Sequence, residues 1–146
     1  MMPIHDEANL ILKLYNLRRE ETMRKARDWY FREFNPQSMA DFTNALFSDH
    51  SGHLRMVTTY WDMAATLVNH GAIGMHLFAE TSGEYIGVFA KVEPILSEIR
   101  GMMSPQYLAN LEKLVNSVPG DKERVVAFRE RMKMIQKEMA TRQAGA

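Results

Sequence analysis

The chain has 146 residues, is 46% hydrophobic and 25% charged, and balances eighteen basic residues against eighteen acidic ones. That length suits one domain with its own core, and a net charge of zero argues against nucleic acid as a partner. The absence of cysteine excludes disulfides, thiol catalysis and cysteine-based zinc sites within the chain, and no apolar run reaches the ~18 residues that a membrane span needs.

The start, Met1 to Glu7, carries His5, Asp6 and Glu7 where a signal peptide would be basic, so a cytoplasmic protein is expected. Asp6 is a suitable N-cap for a first helix running to about Phe34, where Asn35-Pro36 stops it. This helix carries two apolar stripes. One joins Ile11 and Tyr15 to Thr22, Ala26, Trp29 and Tyr30; the other is Leu10, Leu14 and Leu17. Ser38 caps a short helix, Met39 to Phe47, and Ser48 to Gly52 reads as a loop.

The next stretch, 53–70, is apolar on nearly every side, with Leu54, Val57, Tyr60, Trp61, Ala64, Ala65 and Val68 among its residues. Its polar side chains fall on one seam, Arg55, Thr59, Asp62, Thr66 and Asn69, spaced by alternating fours and threes. Such a helix belongs at the centre of a bundle. Gly71 ends it as a C′ glycine. A helical turn at Met75 to Glu80 leads into a long helix, 82–100, with Gly83, Gly87 and Ala90 on its small-residue face. That face predicts a close helix contact, and Pro94 predicts a kink. Ser104-Pro105 signals another helix start, and Val118-Pro119-Gly120 a turn. Asp121 caps the last helix, whose stripe of Val125, Phe128, Met132, Ile135 and Met139 repeats like a coiled-coil seam. Residues 1–5 and 140–146 are expected to fray. The pattern predicts an all-α domain over 1–146, a bundle of about six or seven helices with 53–70 and 82–100 at its centre.

Chemistry is less legible. If the seam is buried, Asp62 needs a partner, because an isolated buried carboxylate is costly. It serves either as a general acid/base or ligand anchor, or as part of a satisfied or solvent-facing polar stripe. Arg55, Asp62, Asn69, His70 and Glu84 are the candidate ligand-binding residues. His50 and His53 in one segment, and His70 and His76 in another, match no metal signature, so neither metal nor cofactor is expected. The run Arg18, Arg19, Arg24, Lys25 and Arg27 is interleaved with Glu20, Glu21 and Asp28, as on a solvated face. Between Asp41 and Glu112 eight acidic residues face three basic ones, so the basic terminal helices suit an acidic middle, within one chain or between two.

The segment Tyr60-Trp61-Asp62-Met63-Ala64, then Leu67-Val68-Asn69-His70-Gly71-Ala72-Ile73, Glu84-Tyr85 and Phe89-Ala90-Lys91-Val92-Glu93-Pro94-Ile95-Leu96 resembles an uncharacterised family of bacterial helical proteins. The resemblance covers the middle third of the chain and implies an all-helical domain with no established activity or catalytic residues. The leading expectation is a non-catalytic helical module that binds a ligand or protein partner and forms a homodimer. Leu10, Leu14 and Leu17 of the first helix and Phe128 and Met132 of the last are its candidate interface. The alternative is a small enzyme or sensor with a pocket near Asp62, His70 and Glu84.

Overall fold

The computed structural model describes residues 3–145, and among them the chain forms nine α-helices and no strand. They are α1 (Ile4–Arg19), α2 (Glu21–Arg32), α3 (Met39–Leu46), α4 (Ser51–Asn69), α5 (Met75–Thr81), α6 (Glu84–Val92), α7 (Leu96–Met102), α8 (Ala109–Ser117) and α9 (Asp121–Ala144). The all-helical reading holds, and the excess over six or seven comes from two helices that are each cut in two.

The first cut, between α1 and α2, has no proline or glycine to announce it. Glu20 adopts an extended conformation (φ −59°, ψ 143°) and its carboxylate accepts the Met23 N–H at 3.0 Å, capping α2. Backbone N–H groups of Thr22 and Met23 hold the Glu20 carboxyl below its ordinary range. Two distant side chains serve carbonyls of α1: Arg27 Nη1 donates to Arg18 O at 3.0 Å, and the Tyr60 hydroxyl donates to Leu14 O. Arg27 thus supplies a donor to a carbonyl that the break frees, and Tyr60 ties α4 to an interior carbonyl of α1.

The second cut is the kink expected at Pro94. A 3-10 turn, Glu93–Ile95, separates α6 from α7. Proline lacks the N–H that would have bonded to Ala90 O. Arg129 of α9 fills that vacancy, donating to Ala90 O from Nε at 3.3 Å and from Nη2 at 3.2 Å.

One hydrophobic core unites the helices. Helix α4 runs through its middle, packed most extensively on α2 and α8 and also touching α3, α5 and α6. It buries eight residues, including Trp61, which has no exposed surface. Relative to length, α6 is more buried still, with seven of its nine residues inside. The central helix therefore buries the most side chains, and α6 the larger fraction of its own. Gly71 (φ 83°) closes α4 as expected, with Ala72 N donating to Leu67 O at 2.9 Å.

The two glycines of the small-residue face part company. A Cβ on Gly87 would lie 2.8 Å from the Phe128 ring and 2.9 Å from the Phe31 ring, whereas one on Gly83 would meet nothing within 4 Å. Only Gly87 marks a close approach. The start expected at Ser104-Pro105 is also displaced: a turn fills 105–108, and α8 begins at Ala109. Helix α9 continues through the segment expected to fray, as far as Ala144, and α1 begins at Ile4. Fraying at residues 1, 2 and 146 lies outside the described residues.

Candidate functional site

The seam on α4 meets α8. Leu108, before α8, is left-handed (φ 53°) and has no polar side chain with which to cap the helix. Asp62 does so from across the interface, accepting the Leu111 N–H at 2.9 Å and the Asn110 Nδ2 amide at 3.2 Å. Asn69, two turns further along, donates from Nδ2 to Asn110 O at 2.9 Å. A carboxylate at a helix N-terminus satisfies orphan N–H groups and complements the dipole. Arg55 and Thr59 at the other end of the seam are exposed, and so is His70, which follows the last residue of α4.

Glu84, the first residue of α6, points elsewhere. Arg27 of α2 reaches it with Nε at 3.0 Å and with Nη2 at 2.9 Å, and the Trp61 indole donates to its other oxygen at 2.9 Å. Arg18 lies over the Trp61 ring, 5.3 Å from its centroid, and donates to the Tyr60 hydroxyl at 3.4 Å. Burial pushes the Tyr60 phenol up, and Arg18 beside it opposes part of that shift. This node ties α1, α2, α4 and α6 together. Asp62, His70 and Glu84 therefore do not converge. Asp62 and Asn69 share one contact with α8, Glu84 belongs to another with α2, and His70 faces solvent.

Other groups that cap helices from a distance went unnoticed in the sequence. Glu7 of α1 accepts the N–H of Gly74, the N-cap of α5. Lys91 of α6 donates to Tyr30 O in the last turn of α2 at 2.9 Å and, just beyond that helix, to Phe34 O at 2.7 Å and Asn35 Oδ1 at 3.0 Å. Among the described residues it has no carboxylate partner, and burial pushes its amine down to about 8. Its one sequence signal is a lone charge inside the apolar run from Tyr85 to Val92. The Tyr85 hydroxyl donates to Asp121, the buried first residue of α9, whose other oxygen meets Arg124 at 2.6 Å. Burial, with Asp121 beside it, raises the Tyr85 phenol well above its ordinary range.

Clefts open at several places on the surface. One of about 260 Å³ lies beside Lys91, between the 35–37 loop, the end of α6 and α9. A second, of about 530 Å³, opens between α5, α6 and the start of α9 and includes Tyr85, Asp121 and Arg124. The third, an open groove of about 600 Å³ along α3 and α4, includes Met56, Met103 and Tyr107. Of the predicted ligand residues, only Arg55 lines one of them, the third.

The predicted interface residues are divided. Leu14 is buried in the core of its own chain and Leu10 packs partly against it, whereas Leu17 is exposed. The Leu10-Leu14-Leu17 stripe is therefore not a free surface. Phe128 and Met132 are half-buried, Phe128 against Gly87. Beyond them Met134 (72% exposed), Ile135 (42%) and Met139 (54%) lie open, and every described residue after Gln136 is exposed.

Comparison with known families matches the profile of DUF4760, a domain of unknown function, to residues 3–118. The chain belongs to this family. No curated protein and no solved structure matches it significantly. The DUF4760 match spans the resemblance seen around Trp61 and Phe89 and continues through α8. It stops before α9, the helix that packs on Gly87, mends the break at Pro94 and projects past the body. No described helix is long and apolar enough to cross a membrane.

Proposed function

We propose that this DUF4760 chain is a non-catalytic helical interaction module that forms a homodimer through the outer half of α9. One observation carries the reading: Ile135 and Met139 continue the seam of Phe128 and Met132 into solvent, with Met134 beside them. Val125 and Phe128 are already engaged by their own chain, so the free part of the seam is its distal end. A narrow apolar seam at three-four spacing suits a partner helix, and two-fold pairs are the commonest oligomers. Asp62 and Glu84, two of the three residues around which the alternative enzyme or sensor pocket was expected, are engaged in holding helices together, which supports a binding role over an enzymatic one.

The flanking charges favour an antiparallel pair. Arg131 and Glu138 precede Met132 and Met139 and lie on the same flank of the seam. When two helices run in opposite directions, that flank faces itself, and Arg131 of one copy meets Glu138 of the other. Light scattering at micromolar concentration tests the reading. The wild-type chain is expected to be a dimer and Ile135→Glu a folded monomer. Arg131→Glu weakens the dimer, and adding Glu138→Arg restores it. A monomeric wild-type chain overturns the proposal. Leu14→Glu is no test of the interface, since it places a charge in the core.

A further inference from the structure

We propose that the cleft beside Lys91 is a binding site for a small monocarboxylate with an apolar tail. The charge balance of its walls carries the inference. Lys91, Arg129 and Lys133 line the cleft, and no acidic residue does. Two of these cations have carboxylate partners on their outer sides: Arg129 meets Glu93 at 2.6 Å, and Lys133 meets Glu130 at 3.5 Å. Lys91 has none. Its ammonium is held by neutral oxygens of Tyr30, Phe34 and Asn35 and lies over the rings of Tyr30 and Phe31 at 5.7 and 5.6 Å. Three cations against two carboxylates leave one positive charge, that of Lys91, balanced only by carbonyl and amide oxygens in a partly desolvated site. One bound monoanion neutralises it, where a dianion such as phosphate over-compensates.

The remaining walls select the tail. Pro36, Pro94, Ile95, Phe128 and Met132 give the cleft an apolar lining. A volume of about 260 Å³ equals roughly eight or nine liquid-water volumes, the scale of a short fatty acid rather than a lipid or nucleotide. Ligand sites combine such apolar walls with a few orienting polar groups. Capping of α2 accounts for the orientation of Lys91 but not for the missing countercharge, nor for the two further cations beside it. The cleft shares Phe128 and Met132 with the inner part of the α9 seam, so binding to the monomeric Ile135→Glu chain separates this inference from the proposed dimer.

Hexanoate is the probe, with hexanol (the tail without the charge) and acetate (the charge without the tail) as controls. Backbone amide NMR of the full chain in low salt is expected to show saturable shifts with hexanoate at Lys91, Ile95, Phe128 and Met132, at least tenfold weaker binding of either control, and the same shifts in the monomeric Ile135→Glu chain. Lys133→Gln, at an exposed position, should weaken hexanoate several-fold, and Lys91→Met at least tenfold. Proton uptake separates a ligand site from a structural cap. The charged groups around the cleft are Glu93, Arg129, Glu130 and Lys133, with the neutral phenol of Tyr30 beneath Lys91. A carboxylate bound among them raises the affinity of the Lys91 amine for its proton, so calorimetry near pH 8 in buffers of different ionisation heat should record protons taken up. Shifts centred elsewhere, hexanol binding as tightly as hexanoate, or binding without proton uptake would each overturn the proposal, whether or not Lys91→Met folds.

Discussion

Helix α6 and the outer half of α9 are both helical, and they are held in opposite ways. In α6 an unbroken run from Tyr85 to Ala90 is buried. Its first residue, Glu84, is clamped by Arg27 and Trp61, and the carbonyl freed by Pro94 is met by Arg129. Beyond Gln136, α9 has no buried residue, and the bonds along it are local, such as Arg142 to Glu138 at 3.0 Å. Exposed pairs of that kind contribute only ~0.3–0.5 kcal/mol each, and a short isolated helix is marginal in water. Tertiary contacts stabilise the inner helix directly, whereas the outer one has an unused apolar seam that a partner would cover.

The largest effect expected is at the inner helices. Trp61→Ala removes a fully buried ring and the indole N–H bound to Glu84, and should cost about 3–5 kcal/mol in urea unfolding. An unchanged midpoint would break the contrast at its root. Next comes the repair of Pro94. Arg129→Met leaves Ala90 O without its donor and should cost about 1–3 kcal/mol. In a Pro94→Ala background, where the backbone N–H returns, the same substitution should cost measurably less. Equal costs in the two backgrounds would show that the guanidinium does not act through Ala90.

Lys91 makes a comparable contribution that depends on pH. A lysine in the unfolded chain titrates near ~10.4, and burial brings Lys91 to about 8. Between these values the unfolded chain binds the extra proton, so stability rises as pH increases from about 8 toward 10. The gain is on the order of 1–3 kcal/mol. Above about pH 10 the trend reverses. Tyr30, Tyr60, Tyr85 and Tyr107 are all held above their ordinary range by burial, so the unfolded chain loses those protons first. Urea midpoints measured from pH 7 to 11 should show the maximum, and Lys91→Met should remove the rising limb.

Gly87→Ala should cost about 1 kcal/mol, the clash with the Phe128 and Phe31 rings exceeding the ~1 kcal/mol gain in helix propensity. A stabilised variant would mean that the rings simply move aside. The smallest effect on stability belongs to the outer helix. Ending the chain after Gln136 should change unfolding by less than about 0.5 kcal/mol in a dilute monomer while abolishing the dimer seen by light scattering. A loss of several kcal/mol would show that the outer half of α9 supports the body after all.

Periodicity and punctuation in the sequence determined the helical class, the central place of Trp61 and its neighbours, the left-handed end at Gly71 and the kink at Pro94. Each follows from short-range physics: a repeat of 3.6, a glycine with positive φ, a proline without an N–H. The tertiary structure decided the rest. No proline or glycine cuts the first helix at Glu20: the Glu20 carboxylate caps α2, and Arg27 of α2 folds back to the freed Arg18 carbonyl. Nothing local starts α8 at Ala109, since its cap is Asp62 on α4. Asp62, Asn69 and Glu84 stood out in the sequence as polar groups in apolar surroundings, and the structure shows each serving a helix end or an ion pair on another element. The cleft beside Lys91 was invisible for the same reason: its cations lie 38 and 42 positions apart along the chain, and only the packing of α9 across the end of α6 sets them side by side.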